Sequence, residues 1–371
     1  MNASNQKIAL VITNLRGGGA EKAFLKLALL LGRRGHELHL FLLENIVEHE
    51  PDPAIRLHAL TALGRAQGKG FLGKRLAAAR LRRLFRQQEA ERPFDFTLAT
   101  LPYADEVVHL AGLPRVWHRI ANTLSLEIEN LRRSSPAKAA RRLARYRRLY
   151  DGKNLIAVSE GVAEDLRHEL GLRAANIVRL YNPFDLDEIR HLAAEHPAGL
   201  PHEPYIVHVG RFAPQKRHDL LLHAWKIAAL PHRLVLLTPT SSALAALIAE
   251  SGAADSVVVA GFQQNPYPWI RAADALVLCS DYEGLPNVLI EALICGTQIV
   301  STDCPSGPRE IMAGALRRFL VPTGDAQALA AALREAVGNP VSISEDNLAR
   351  FSADTVAQGY EDLPARWREP G

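Results

Sequence analysis

The chain has 371 residues, of which 48% are hydrophobic and 23% charged, a composition typical of folded globular proteins and not of disordered ones. Its length exceeds what one hydrophobic core usually supports, which predicts two domains. Cys279, Cys295 and Cys304 have no metal-ligand spacing, so the chain is not expected to hold a zinc site or a disulfide framework, and a cytoplasmic location is favoured. No run approaches the ~18 apolar residues of a membrane-spanning helix.

The first half of the chain alternates short apolar runs with helical patterns. Strands are predicted at 7–13, 36–43, 94–101 and 155–159. The first run is expected to be a strand and not a signal peptide. Strands separated by helices of this length indicate a largely parallel sheet with helices on both faces.

Three glycines, Gly17 to Gly19, lie between the first strand and its helix. Such a turn lets backbone approach a ligand, and the helix start that follows favours an anion, although a tight turn without a ligand is the alternative. The dinucleotide-binding fingerprint needs a further glycine where Lys22 stands, so a dehydrogenase is not supported. The run at 64–70 likewise lacks the spacing and the Ser or Thr of a phosphate-binding loop.

The alternation is interrupted at 182–204, where Pro, Gly and His accumulate, and then restarts. The later strands are predicted at 205–210, 233–238, 256–262, 275–280, 298–302 and 317–322. We therefore expect two successive α/β domains, residues 1–183 and 184–351, each with a doubly wound parallel sheet.

Two cations follow the first strand of the second domain. Arg211 comes directly after "VG", and Lys216 lies just before a helix. Ligands of α/β sheets bind at the carboxyl ends of the strands, and a guanidinium with an ammonium suits a diphosphate. Two solvated surface cations are the alternative.

The stretch "SDYEGLPNVLIEALICG", residues 280–296, places two carboxylates eight positions apart. Glu283 lies in the loop after a buried strand, and Glu291 lies about one turn into a helix that begins at Pro286 or Asn287. The helix start between them favours an anion, while the carboxylates could accept hydrogen bonds from hydroxyl groups. A sugar nucleotide needs both kinds of contact, although surface ion pairing is the usual role of an isolated Glu pair.

This stretch resembles the donor-binding signature of the retaining glycosyltransferases of family 4, which have the GT-B fold of two Rossmann-like domains facing across a cleft. The resemblance is carried by the Glu-x7-Glu motif from Glu283 to Glu291 and its continuation "VSTDCPSGPREI" at 300–311. The segments "VGRF" with Lys216, and "GGGAEK" at 17–22, match as well. The resemblance also implies a final helix, at about 352–371, that packs back on the first domain.

The resemblance implies a role for each matched residue of the second domain. Arg211 and Lys216 would hold the diphosphate of the donor, and Glu291 would bind the ribose hydroxyls. Glu283 would bind and orient the transferred sugar, as a positioning group and not as a covalent nucleophile. The phosphates would also meet the backbone of the segment formed by Gly284, Leu285, Pro286 and Asn287.

Further contacts are implied for the nucleobase, at the backbone of Gly261 and Phe262, and for the phosphates, at Gly18 and Gly19 of the first domain. No metal or cofactor is expected, because the cations and the helix start supply the positive charge. The reaction would be attack of an acceptor hydroxyl on the anomeric carbon with retention of configuration. Uridine diphosphate is the carrier that the resemblance implies.

The first domain departs from the family where many members have His-Asn at the end of a strand. Here Ala121 precedes Asn122. His109 and His118 are possible substitutes, but a histidine at such a position is more often structural. Asn122 is the better candidate for lining the site.

Two basic segments, residues 69–86 and 132–148, are predicted to form helices with most cations on one face. We expect them to contact anionic lipid headgroups and to bring the enzyme to a lipid-linked saccharide at the inner face of the membrane. Solvated helix faces are the alternative. Nucleic-acid binding is not expected, because no aromatic-rich surface or known module accompanies the arginines.

The resemblance implies a glycosyltransferase that uses a nucleoside-diphosphate sugar and a saccharide acceptor in bacterial surface polysaccharide or lipopolysaccharide assembly. Two alternatives remain. The first is a sugar-nucleotide epimerase of similar fold, which would need no acceptor. The second is a non-catalytic nucleotide-sugar-binding protein, which would bind the donor without turnover.

Overall fold

The computed structural model describes residues 5–16, 19–48, 50–66, 68 and 70–369. The chain divides into two compact units. The first consists of Met1–Pro183 with Ala353–Gly371, and the second is Phe184–Ser352. Each unit is built around its own parallel sheet.

The first unit has seven described strands. They are β1 (Lys7–Ile12), β2 (Glu37–Leu42), β3 (Arg56–Ala59), β4 (Phe96–Thr100), β5 (Val116–Ile120), β6 (Asn154–Ala157) and β7 (Asn176–Arg179). Their order in the sheet is β3-β2-β1-β4-β5-β6-β7. The helices between them are α1 (Gly19–Arg33), α2 (Phe71–Glu89), α3 (Pro102–Ala111), α4 (Leu124–Ser134), α5 (Pro136–Tyr150) and α6 (Glu160–Glu164), which continues into a π-helical turn, Asp165–Glu169.

The second unit has six described strands. They are β8 (Tyr205–Val209), β9 (Arg233–Leu237), β10 (Val257–Val259), β11 (Ala275–Leu278), β12 (Gln298–Thr302) and β13 (Leu320–Val321), in the order β10-β9-β8-β11-β12-β13. Its helices are α7 (Leu186–Ala193), α8 (His218–Ala228), α9 (Ser242–Ser251), α10 (Tyr267–Arg271), α11 (Asn287–Ile294), α12 (Pro308–Ile311), α13 (Ala326–Gly338) and α14 (Asp346–Ala349). Short 3₁₀ turns form at Pro214–Lys216, Ala254–Ser256 and Gly314–Phe319.

The central strands are continuous apolar runs because helices cover both faces of each sheet. Every residue of β1, β4, β11 and β12 is buried, whereas β3, β7 and β10 at the sheet edges are partly exposed. Fully buried strands of this kind are typical of parallel sheets. Side-chain caps fix where several helices begin: Ser159, Asp185, Ser241 and Asp325 each accept a hydrogen bond from the backbone N–H three residues later.

The prediction of a strand over 317–322 was largely wrong. Only Leu320–Val321 is a strand, and Gly314–Phe319 forms a 3₁₀ turn. Leu316 and Phe319 are buried three residues apart, with exposed arginines between them, which is the side-chain spacing of a 3₁₀ helix.

The C-terminal segment of the first unit contains two further helices, α15 (Ala353–Glu361) and α16 (Leu363–Arg366). A Cβ added at Gly359 would lie 2.4 Å from Cδ2 of Leu180, so this helix packs tightly against the rest of its unit. Glu361 accepts a hydrogen bond from Arg34 at 2.6 Å and contacts Nε2 of His36 at 3.0 Å. Among the described residues, no helix is both long and apolar enough to cross a bilayer.

Candidate functional site

The loop after β8 brings one of the two predicted cations to the opening stretch of the motif. Nζ of Lys216 lies 2.6 Å from Oε1 of Glu283. Arg211 is exposed and forms no ion pair or side-chain hydrogen bond within the described parts of the chain. The structure therefore places Lys216 against the Glu283 loop, while it gives no such contact for Arg211.

The loops after β11 and β12 each add a contact to Glu283. Ser280 donates a hydrogen bond from Oγ to Oε1 of Glu283 at 2.6 Å, and the backbone N–H of Glu283 donates to the carbonyl of Pro305 at 3.1 Å. Glu283 is only 8% exposed. Because β8 and β11 are neighbours in a parallel sheet, their carboxyl-terminal loops meet at one edge, where α/β proteins bind ligands.

Additional contacts join these two loops near Lys216. Gln215 donates from Nε2 to the carbonyl of Tyr282 at 2.5 Å, and the N–H of Asp281 donates to the carbonyl of Gln215 at 2.9 Å. The thiol of Cys279 donates to the carbonyl of Lys216 at 3.1 Å. Burial raises the pKa of Cys279 to about 12, so this group stays a protonated donor. The two loops thus form one connected surface.

A third loop, residues 303–308 after β12, packs directly on the motif. Gly307 has φ +103°, and a Cβ built there would lie 2.3 Å from Cδ of Pro286 and 3.2 Å from Cα of Leu285. Only glycine accepts both this conformation and this distance. Leu285 and Pro286 therefore pack directly on the backbone of Gly307.

Helix α11 begins at Asn287, which agrees with the predicted helix start. Its eight residues direct the positive end of the helix dipole toward the same loops. Glu291 lies in the second turn, and the hydroxyl of Tyr267 lies 3.4 Å from its Oε1. Burial raises the pKa of Tyr267, which keeps this hydroxyl protonated as a donor. Glu283 and Glu291 thus belong to the same unit, on either side of the helix start.

Two buried histidines lie beneath the loop after β8, and sequence analysis missed both. His208 donates from Nδ1 to the carbonyl of Val277 at 2.9 Å, and its ring packs edge-on against His218 at 4.8 Å between centroids. Burial lowers the pKa of His208 to about 3 and that of His218 to about 4. Both rings are therefore neutral at pH 7. No spacing in the sequence signals this packing, since the two rings meet only once β8 and α8 are assembled.

The remaining predicted contacts of the second unit lie after β10. Gly261 has φ +77°, and Phe262 is 63% exposed. The proposed phosphate contact at Gly18 lies outside the described residues, as does Gly17. Gly19 is the first residue of α1, and a Cβ added there would meet no atom within 4 Å.

The three polar candidates of the first unit occupy different places. His118, in the middle of β5, is buried, and its Nδ1 lies 2.8 Å from Oδ1 of Asp105, whose other oxygen accepts a hydrogen bond from Tyr150 at 2.8 Å. His109 lies near the end of α3 and lines a cavity of about 610 Å³ at the amino-terminal edge of the sheet. Of the three, Asn122 follows the carboxyl end of a strand and is half-buried.

The two basic segments differ in the side chains that accompany their cations. In α5, Arg142 pairs with Glu127, and Arg145 pairs with Glu106 at 2.7 Å. In α2, the described helix instead carries exposed apolar side chains at its start. They are Phe71 (69% exposed), Leu72 (79%) and Leu76 (51%). The charge of both helices is partly neutralised, since Lys74 of α2 also pairs with Glu106 at 2.9 Å. Of the two described helices, only α2 combines its cations with an exposed apolar surface.

The comparisons with known proteins assign a family. Residues 203–339 match the sequence model described as "Glycosyl transferases group 1", and residues 17–188 match that described as "Glycosyltransferase Family 4". Together these matches cover most of the chain. The chain belongs to glycosyltransferase family 4. It is accordingly a glycosyltransferase of a retaining, metal-independent family with the GT-B fold, which confirms the predicted fold class and enzyme class.

The individual relatives described next are each at most 28% identical to this chain. The chain is 28% identical to the N-acetylgalactosamine-N,N'-diacetylbacillosaminyl-diphospho-undecaprenol 4-alpha-N-acetylgalactosaminyltransferase of Campylobacter jejuni, over 82% of this chain and 83% of that protein. It is 28% identical to the lipopolysaccharide 1,6-galactosyltransferase of Escherichia coli K12, over 56% of this chain and 58% of that protein. The structure of Anabaena HepE in complex with UDP and glucose is similar in fold, with a TM-score of 0.73 and 20% identity, over 98% of this chain and all of that one.

Proposed function

We propose that this glycosyltransferase transfers a sugar from a UDP-sugar to a hydroxyl of a lipid-linked saccharide during assembly of a bacterial surface polysaccharide or lipopolysaccharide. The observation that carries the donor assignment is the contact of Lys216 with Glu283 beside the start of α11. A cation, a helix start and two carboxylates within one unit match the charges and hydroxyls of a sugar nucleotide. UDP is our choice of carrier because the Anabaena protein of similar fold was solved with it.

In this proposal each group has a defined part in the reaction. Lys216 and Arg211 neutralise the charge that develops on the departing diphosphate, and Glu291 accepts hydrogen bonds from the ribose. Glu283 binds hydroxyls of the transferred sugar and holds its anomeric carbon in front of the acceptor hydroxyl. Stabilising a leaving group with groups already in place is an efficient form of electrostatic catalysis.

The pairing of Lys216 with Glu283 also suggests what happens when the donor binds. In the structure Nζ of Lys216 lies 2.6 Å from the carboxylate of Glu283, and both side chains are largely buried. A diphosphate would attract the ammonium more strongly than one carboxylate does, because it carries more negative charge. Lys216 would then move to the phosphate, and Glu283 would become available to the sugar.

The lipid-linked acceptor is supported by the name of the Campylobacter jejuni relative and by the surface of α2. Phe71, Leu72 and Leu76 are exposed beside arginines and lysines, a combination that suits an anionic bilayer surface. Burying Phe71 and Leu72 would contribute about 1.5–3 kcal/mol each. We therefore propose that the enzyme works peripherally at the inner face of the membrane.

Turnover with and without an acceptor tests the catalytic proposal. Sugar nucleotides are first screened by thermal shift, because a ligand that binds only the folded state raises the unfolding temperature. The donor that binds is then incubated with a polyprenyl-diphosphate-linked saccharide. Transfer that requires the acceptor supports the proposal. Release of free sugar without acceptor would instead indicate an epimerase, and binding without turnover a non-catalytic protein.

Vesicle co-sedimentation tests the membrane proposal. Wild type should bind vesicles with phosphatidylglycerol more strongly than pure phosphatidylcholine vesicles. The double change Phe71→Ser and Leu72→Ser should weaken that binding by at least about a hundredfold, given the area lost from the bilayer. Leu110→Ser, at an exposed leucine of α3, is the control and should bind as wild type does. Binding that ignores both the lipid charge and the double change would refute the proposal.

A further inference from the structure

Arg217, the residue after Lys216, has an unusual backbone conformation. Its φ of 48° and ψ of 51° lie in the left-handed region, directly before α8. A side chain disfavours this region, whereas glycine adopts it freely. The chain therefore places an arginine where the backbone alone would prefer glycine, next to a residue of the proposed donor site. Strain at such a position suggests a role for the side chain.

The guanidinium of Arg217 connects the two loops of the site. It donates from Nε to Oδ1 of Asp219 at 3.0 Å and from Nη2 to Oδ2 of the same carboxylate at 2.9 Å. Its Nη1 donates to Oδ1 of Asp281 at 2.9 Å. The hydrogen bonds from Arg217 to Asp219 lower the pKa of Asp219, which keeps that carboxylate charged. Asp219 lies at the start of α8, but Asp281 lies on the loop that carries Glu283.

The residues directly before and after Lys216 are thus both hydrogen-bonded to the loop that carries Glu283. Gln215 donates to the carbonyl of Tyr282, and Arg217 pairs with Asp281. The thiol of Cys279 also lies 3.4 Å from the carbonyl of Arg217. These contacts hold the backbone on both sides of Lys216, whose ammonium lies 2.6 Å from Glu283.

We infer that Arg217 is a positioning residue that, through its ion pair with Asp281, holds Lys216 at the correct distance for the diphosphate of the donor. This inference rests on the proposed function, in which Lys216 leaves Glu283 for the phosphate. Once that contact is broken, the Arg217–Asp281 ion pair still joins the two loops, together with the hydrogen bonds of Gln215 and Cys279. Arg217 then acts on the donor through Lys216 and not by its own charge.

Titration calorimetry with UDP on the 371-residue chain tests the inference. Lys216→Ala should weaken UDP binding about 10- to 100-fold, the usual effect of losing a charged hydrogen bond. Arg217→Gly should weaken it about tenfold by the same measure, but by less than about twofold when Lys216 is already alanine. Ala229→Gly is a matched control, because Ala229 is also left-handed, with φ 46° at the other end of α8, and holds no such ion pair. It should bind UDP as wild type does.

Asp281→Asn separates positioning from simple electrostatics, and it leaves the strained backbone untouched. Removing a negative charge near the site would tighten UDP binding if only charge mattered, whereas loss of the ion pair with Arg217 should weaken it. Tighter binding by Asp281→Asn would overturn the inference. So would equal losses from Arg217→Gly in the presence and absence of Lys216. If Lys216→Ala itself binds UDP as wild type does, the proposed donor site is wrong, and the inference falls with it.

Discussion

Replacing Gly307 by alanine tests how the motif loop is held. The residue has φ +103° and ψ −57°. For a residue with a side chain, this backbone conformation costs about 1–3 kcal/mol of folding free energy. The new Cβ would also lie 2.3 Å from Cδ of Pro286 and 3.2 Å from Cα of Leu285. Neither a proline ring nor a backbone atom can move far to make room, so the overpacking costs about 1–3 kcal/mol more. We therefore expect a total loss of about 2–6 kcal/mol, together with weaker UDP binding as the loop moves.

Gly324→Ala is the matched control for this change. Gly324 also has a positive φ, of 77°, but a Cβ there would meet nothing within 4 Å, so only the conformational cost of about 1 kcal/mol applies. In a unit of this size, each kcal/mol lowers the unfolding temperature by about 2–4 °C. The two losses differ by about 1–5 kcal/mol, so calorimetric scans should show Gly307→Ala unfolding about 2–20 °C below Gly324→Ala. Equal unfolding temperatures for the two variants would refute the packing of this loop on the motif.

Three further predictions concern stability and reactivity. Glu361→Gln should lower the free energy of unfolding, measured by urea denaturation, by about 1–3 kcal/mol, because a buried acceptor of charged hydrogen bonds is lost. Asp354→Asn is the control, because Asp354 pairs with the same residue, Arg34, but its side chain is 90% exposed. It should change the free energy of unfolding little. Burial lowers the pKa values of His208 and His218, so below pH 6.5 the unfolded state takes up protons first. Stability should therefore fall by about 2 kcal/mol per histidine between pH 7 and pH 5, and a flat profile would contradict this. Cys279 should resist alkylation at pH 8 in the folded protein and react once it is denatured, as peptide mass spectrometry would show.

The central strands could be predicted from sequence because they are uninterrupted apolar runs. The edge strands β3 and β7 were missed, because each has four residues and is partly exposed, so it lacks such a run. Strand β5 was missed as well, since it contains His118 and Arg119. Arg119 is buried, and its guanidinium donates hydrogen bonds to Asn182 and to the hydroxyl of Tyr360. Both partners are distant in sequence, so no local pattern indicates that this arginine lies inside the protein.

The local structure of the motif could be predicted from sequence, but its long-range contacts could not. The pattern from Glu283 to Glu291 indicated a helix start between two carboxylates, and the structure has one at Asn287. The pairing of Lys216 with Glu283 spans 67 residues and depends on the adjacency of β8 and β11, which no local pattern records. The Glu-x7-Glu spacing likewise gives no sign that Arg217 joins the two loops.

In the proposed function, the second unit holds a nucleoside diphosphate between Glu283 and Glu291. Titrating UDP into the wild type, Glu291→Ala and Glu283→Ala tests it directly. We expect Glu291→Ala to bind at least about tenfold more weakly, because the ribose loses a charged acceptor. Glu283→Ala should bind no more weakly than the wild type, because Lys216 then has no carboxylate to leave. Wild-type affinity in Glu291→Ala would contradict the account.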